Sequence, residues 1–337
     1  TIKKYKHVYY QIGINNKLFN IPVIYSERFV FINKISQIYS YFLYEKNIIN
    51  ADILHPTYYN LLNCNNNNFN KNFKIPLIVT VHDMIHELIL YQKRDVFNAI
   101  LVKKQAIFAA DHLICVSENT KKDLLQQYPQ LINKAITVIP LANSLINLNN
   151  NISLNNNDKN YFLYVGSRDM HYKNFDNLLK AFSKIANKYK NINLKLVGVK
   201  IADYEMKMIR DLKLYNKITL EKIVTDEKLI KLYKNSIALV YPSHYEGFGI
   251  PPLEAMNLGT LVICGKHSSL TEVVGDAALF IDDTYNICQI SELLEYAIEM
   301  PLNIKNKLIE KGLIQSKKFS WQKTVESTEK VYKNFQK

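Results

Sequence analysis

YPSHYEGFGIPPLEAMNLGTLVICGKHSSLTEVVGD, residues Tyr241 to Asp276, is the stretch whose reading decides the fold. The apolar run Ile237 to Tyr241 predicts a short buried strand that ends at Pro242. The loop after it carries Glu246, Gly247, Phe248 and Gly249. Pro251 and Pro252 suit the first turn of a helix, where a missing N–H is tolerated and φ is already right. Glu254 falls inside that helix, and Gly259 stands where a helix commonly ends. One acid therefore lies before a helix N-terminus and another a turn inside it. Backbone N–H groups between them favour an anion such as phosphate.

Outward from this stretch, buried strands alternate with helices. Strands are predicted at Tyr161 to Val165, Ile192 to Val197, near Ile218, Leu261 to Cys264 and Ala278 to Ile281. Phe175 to Tyr189 has an apolar face at helical spacing. Ser269 to Glu272 fits a capping box. Earlier strands are expected at Ala51 to Leu54, Leu77 to Val81, His112 to Val116 and Ala135 to Ile139. Helices are expected at Phe29 to Tyr44, Asp95 to Ala110 and, capped by Ser117, Glu118 to Tyr128. The Asn-rich residues 63–72 read as a polar loop. Such alternation implies parallel, doubly wound sheets. The expected division is a first half over 1–145, an Asn-rich linker over 146–160, a second half over 161–318 and a C-terminal helix over 319–337. Ligands of such sheets sit at the C-terminal strand edges, here facing a cleft.

The chain has 337 residues, enough for two domains of about 150 each. Its formal charge is +13. Nine Lys and Arg stand against three Asp and Glu over residues 1–80, a surplus of six. That balance permits peripheral contact with an anionic membrane. No nucleic-acid-binding motif accompanies it, so no nucleic-acid partner is expected. Cys64, Cys115, Cys264 and Cys288 show no CxxC spacing. Cys115 and Cys264 lie in apolar runs and read as buried thiols of a reducing, cytoplasmic compartment. No metal site is expected. No apolar run approaches the about 18 residues a membrane helix needs. No signal peptide is visible, which carries little weight in a chain that starts at Thr1.

A second loop, GSRDMHYKN (Gly166 to Asn174), also follows a strand and precedes a helix. Gly166 lets backbone approach a ligand closely. Arg168 and Lys173 put positive charge at a helix start, where the dipole disfavours it unless an anion binds. His82 and Asp83, with His86 and Glu87, follow the Leu77–Val81 strand. No Asp-x-Asp triplet, a common holder of metal and diphosphate, occurs.

Together the Tyr241–Asp276 stretch and GSRDMHYKN resemble the donor site of the retaining glycosyltransferases of family 4, which have the GT-B fold of two Rossmann-like domains. ADILHPTYYN and IVTVHDMIHE resemble acceptor-side segments of a bacterial-type mannosyl- and rhamnosyltransferase subgroup. The resemblance implies that Lys173, with Arg168, stabilises the leaving nucleoside diphosphate. The family's Arg often directly follows the Gly, where this chain has Ser167. It implies that Gly166 and Ser167 belong to the diphosphate loop, that Glu246 faces the sugar and that Glu254 binds the ribose. Backbone N–H groups of Phe248, Gly249 and Ile250 would meet sugar or phosphate, and Val224 would border the base. His82 or His55 would approach the donor sugar from the other half. The expected reaction moves a hexose, with GDP-mannose favoured, to a glycan or lipid-linked acceptor, with retention and without a metal. The nucleotide sugar is a substrate, and no permanently bound cofactor is expected. The family's opening strand and Gly-Gly loop are not found in residues 1–50, which contain only Gly13: either that piece lay upstream of Thr1 or this protein does without it. This motivates an alternative, a non-catalytic GT-B scaffold or glycan-binding subunit. A sugar-nucleotide epimerase or phosphorylase of the same fold is a further alternative.

Overall fold

The computed structural model describes residues 52–56, 59, 76–91, 96–143, 145, 160–168, 170–222 and 224–335. The helix expected at Phe29 to Tyr44, Gly13, the loop at 63–72 and the linker as far as residue 159 lie outside them.

Among the described residues, the first half is a parallel sheet in the order β1-β2-β3. It comprises β1 (Ile78–Val81), α1 (Ile85–Leu88), α2 (Phe97–Ala109), β2 (His112–Cys115), α3 (Glu118–Gln127) and β3 (Ala135–Val138). Of the strand expected at Ala51 to Leu54, the described residues show one parallel bridge, Leu54 to Leu77. Ser117 caps α3 as expected, its Oγ accepting from Thr120 N at 3.0 Å.

The second half contains β4 (Tyr161–Val165), α4 (Phe175–Lys188), β5 (Asn193–Val197), α5 (Asp203–Asp211), β6 (Ile218–Glu221), α6 (Asp226–Lys234), β7 (Leu239–Tyr241), α7 (Ile250–Asn257), β8 (Val262–Gly265), α8 (Leu270–Val274), β9 (Ala278–Ile281), α9 (Ile287–Glu299), α10 (Leu302–Ser316) and α11 (Trp321–Lys333). Its strands lie in the order β6-β5-β4-β7-β8-β9, all parallel. Both faces are covered, because successive side chains point to opposite sides of a strand. Phe162 and Tyr164 pack with Phe175, Leu178 and Phe182 of α4 on one face. Tyr161 and Leu163 pack with Leu253 and Met256 of α7 on the other. Burial of Cys115 and Cys264 pushes each thiol up to about 12.

The strand order runs outward from β4 in both directions. The crevice between the ends of β4 and β7 is thus the topological switch point, where open parallel sheets bind ligands. The C-terminal helix crosses back to the first half. Val331 of α11 is buried with Ile78, Ile114 and Ile139. Thr324 Oγ1 donates to Pro140 O at 2.8 Å, and the Phe335 ring meets His112 edge-on.

His55 fastens this crossing. Its Nδ1 lies 2.6 Å from Tyr332 Oη and its Nε2 2.8 Å from Thr80 Oγ1. Burial, aided by the charge of His82, brings its pKa down to about 4. An unfolded chain takes up that proton near pH 6.5, while the folded chain refuses it until about 4. Stability therefore falls on acidification across that window. Urea denaturation from pH 7 to 4 should show a steeper loss for the wild type than for His55→Gln. The difference in slope should integrate to about 3 kcal/mol. Parallel profiles would refute this role for His55.

Candidate active site

The loops after β4 and β7 meet at the switch point. A 3-10 turn at His171–Lys173 ends in Asn174, whose backbone is left-handed (φ 59°, ψ 30°). Asn tolerates that conformation better than most side chains. Asn174 Nδ2 donates to Pro242 O at 3.1 Å and Thr284 O at 2.5 Å, binding this loop to those after β7 and β9. His244 N donates to Tyr172 O at 2.7 Å. So placed, Lys173 Nζ lies 2.7 and 3.0 Å from the two carboxylate oxygens of Glu246, and 3.3 Å from Tyr241 Oη. The same Nζ stands 5.1 and 5.5 Å from the ring centres of Tyr172 and Tyr241. The two charged side chains are 12% and 9% exposed, so their attraction is far less screened than at a surface. Burial, the Glu246 charge and a hydrogen bond to Glu246 lift the Tyr241 phenol well above its ordinary pKa. It stays a neutral donor.

The Glu246 backbone is tied as firmly. Its N–H donates to Ser268 Oγ at 2.9 Å. Ser269 Oγ lies 2.8 Å from Glu246 O and 2.9 Å from Phe248 O. This corrects the capping-box expectation. Ser269 makes no side-chain cap on α8, because two loop carbonyls compete for its hydroxyl.

Glu254 is buried in α7, and its Oε2 accepts from Tyr233 Oη of α6 at 2.8 Å. Burial raises the carboxyl's pKa, the Tyr233 bond opposes this, and Asp226 adds to it. Tyr233 uses Oε2, which leaves Oε1 for another donor. Gly249 precedes α7 with φ 111°, and the prolines remove two of the first-turn donors. The helix end thus offers the N–H of Ile250, with those of Gly249 and Phe248 beside it. Val224 is half-buried and packs against the apolar cluster that also contains Phe248 and Leu253.

Gly166 follows β4 with φ 140°, and a Cβ there would meet nothing within 4 Å. That open space is where a ligand can approach the backbone. Ser167 O accepts from Tyr164 Oη at 2.9 Å. Arg168 departs from the picture of a cation facing the cleft. It is buried, with Nε 3.1 Å from Glu205 Oε1, Nη2 donating to Val199 O at 2.6 Å and its guanidinium over Phe175. Only Nη1 remains without a partner. Glu205 of α5 turns the guanidinium inward, and the sequence reading did not include that helix.

Across the crevice, His82 follows β1, half-buried, its N–H donating to Tyr59 Oη at 2.9 Å. Gly247 presses against it: a Cβ on Gly247 would lie 1.9 Å from His82 O and 2.8 Å from Asp83 Cβ. This contact brings His82 beside the Glu246 loop. His55, the other histidine considered, has both ring nitrogens engaged by Thr80 and Tyr332. Sequence reasoning missed Lys103 of α2. It is fully buried, 2.8 Å from Glu87 Oε2, and donates to Asp83 O at 2.5 Å. Asp83 and Glu87, four residues apart around α1, were the available signal.

Among the described residues, no group of three or more His, Cys, Asp or Glu is arranged to hold a metal ion. Among them also, no helix is long and apolar enough to cross a membrane.

Known proteins share this frame. The family described as Glycosyl transferases group 1 matches residues 146–314, and Glycosyltransferase Family 4 matches residues 10–142. The chain is 33% identical over 218 residues to O-antigen chain mannosyltransferase RfbU of Salmonella typhimurium, covering 62% of this chain and 58% of the relative. It is 41% identical over 110 residues to O-antigen chain mannosyltransferase B of Escherichia coli, covering 33% of this chain and 28% of that one. Both matches span less than two thirds of the relative. Sucrose-phosphate synthase from Thermosynechococcus elongatus superposes with a TM-score of 0.72 at 18% identity, over 93% of this chain and 81% of that one. That likeness concerns the fold, and with the two parallel-sheet halves it fits GT-B.

The Gly247 contact is directly testable. Its clash partner is backbone, which cannot swing aside as a side chain would. Gly247→Ala should lower the unfolding free energy by about 1–3 kcal/mol in urea. An unchanged midpoint would show that the halves do not meet here.

Proposed function

We propose, from the premise that the chain belongs to the group 1 glycosyl transferases and has the GT-B fold, that it transfers a hexose from a nucleotide sugar to a hydroxyl of a glycan or lipid-linked acceptor. The observation that carries this reading is the Lys173–Glu246 pair at the switch point, 2.7 Å across and set beside the α7 N-terminus. It puts a cation, a hydroxyl-accepting carboxylate and backbone donors at one strand edge. These are the groups needed by a substrate with a diphosphate at one end and hydroxyls at the other.

In this scheme Glu254 Oε1 accepts from the ribose, and the half-buried Val224 borders the base. Lys173 shares its ammonium between Glu246 and the diphosphate. The N–H groups of Phe248, Gly249 and Ile250 aim at the phosphate or sugar. Glu246 orients the sugar hydroxyls, and His82 closes the site from the other half. Arg168, turned inward onto Glu205 and Val199 O, anchors the end of the Gly166–Ser167 loop. The bond from sugar C1 to the diphosphate oxygen breaks, and the acceptor oxygen bonds C1 on the same face. Bonding on that face retains the configuration, and the acceptor's proton passes to the departing diphosphate. Positive charge for that departure comes from Lys173 and the helix end, in a metal-independent scheme. Mannose is the favoured sugar because both curated relatives above are named mannosyltransferases. GDP is the favoured nucleotide through the subgroup resemblance of the acceptor-side segments.

Incubation with a panel of nucleotide sugars tests the reading. Slow hydrolysis of GDP-mannose is expected, reduced at least about tenfold in Lys173→Ala and in Glu246→Ala, a loss of roughly 1.4 kcal/mol of transition-state stabilisation. Hydrolysis of no donor, with no thermal shift from GDP or UDP, would overturn it.

A further inference from the structure

The first turn of α3 belongs to one half of the molecule and is capped by the other. A helix leaves its first four N–H groups without intrahelical partners. In α3, Thr120 N is taken by Ser117 Oγ at 3.0 Å, and the first intrahelical bond runs from Lys121 N to Ser117 O at 3.1 Å. Glu118 N and Asn119 N donate to Glu272 Oε2 and Oε1, each at 3.0 Å. Glu272 lies on α8, in the second half and some 150 residues away along the chain. A carboxylate at the positive end of a helix is favourably placed, and here both its oxygens are used.

The same turn grips the Glu246 loop on both sides of Glu246. Ser117 Oγ and Thr120 Oγ1 lie 2.8 and 3.2 Å from Gly247 O. One turn on, Asp123 Oδ2 accepts from Tyr245 Oη at 2.5 Å and from Asn119 Nδ2 at 2.7 Å. Residues 245 and 247 are therefore both held by α3, and α3 is held by Glu272. The chain segment leading into α8 holds the remaining side of the loop through Ser268 and Ser269.

We propose that Glu272 is a positioning residue that clamps the N-terminus of α3 to the site-bearing half and, through Ser117, Thr120 and Asp123, sets the place of Glu246. Its consequence for turnover rests on the glycosyl-transfer reading above, while the clamp itself does not. The clamp touches none of Lys173, Glu254 and Val224, so its loss should weaken turnover more than nucleotide binding.

The test uses the full chain with Cys64 and Cys288 replaced by serine and spin labels on cysteines introduced at the exposed positions Gln105 and Lys307, one in each half. Glu272→Ala removes the carboxylate. Glu118→Pro removes a single donor from the other side. Proline suits the first helical position, and Ser117 before it is already extended (φ −155°, ψ 159°), so the helix should survive. Both variants should lengthen or broaden the distance distribution between the labels, Glu272→Ala the more. Glu272→Gln, which keeps one acceptor oxygen, should fall between Glu272→Ala and the wild type. For donor hydrolysis, kcat should fall about tenfold in Glu272→Ala, with the Kd for GDP within twofold of the wild type. An unchanged distance distribution in both variants overturns the clamp, whatever happens to kcat. A longer distance with unchanged kcat overturns the positioning role. If the wild type turns over no donor, the reaction assignment falls, and the label distances still decide the clamp.

Discussion

Two charges brought together from opposite sides of a switch point hold this site. Lys173 and Glu246 stand 73 residues apart in the chain, and they meet because β4 and β7 are adjacent strands whose loops emerge at the same edge. Partial burial makes their attraction strong and also makes it costly to remove either partner alone. Tyr241, Tyr172 and the left-handed Asn174 surround the pair and leave it little freedom. A cation and a carboxylate are thus prepared at one point before any substrate arrives. Preparation of this kind spares the reorganisation a flexible site would need during reaction.

The loop carrying Glu246 also depends on the other half. Gly247 has no room for a side chain against His82, and its carbonyl is taken by hydroxyls at the start of α3. Tyr245 reaches Asp123, and α11 returns from the C-terminus to pack on β1 and β2 through Val331. Each contact is small. Together they make the geometry of Glu246 a property of both halves.

Much of this was legible locally. Buried parallel strands appear as short apolar runs; eight of those described stand within two residues of the expected ends, and β6 begins at the expected Ile218. The prolines and Gly259 marked the bounds of α7 because their effects are local to the backbone. The helices α5, α6, α9 and α10 were not assigned, nor was the single turn of α1. The first two are short and rich in charge, so their apolar faces rest on a few residues such as Ile209 and Ile230. Missing α5 meant missing Glu205, and hence the inward turn of Arg168. Lys173 and Glu246 were both singled out, with separate tasks, because nothing in their spacing foretells an ion pair. Ser269 and Glu272 match a capping box in pattern, yet tertiary partners claim both side chains. Long-range competition of this kind leaves no trace in a local pattern. His82 and His55 both stood as candidates, and what separates them is tertiary: Gly247 packs on the His82 backbone, while Thr80 and Tyr332 engage both ring nitrogens of His55.

The central claim is that the Lys173–Glu246 pair marks the donor site, and a crystal structure with GDP-mannose bound tests it most directly. The account predicts a diphosphate oxygen within about 3 Å of Lys173 Nζ, a sugar hydroxyl on Glu246 and the ribose on Glu254. A nucleotide bound away from the β4–β7 edge, with the ion pair untouched, would contradict it.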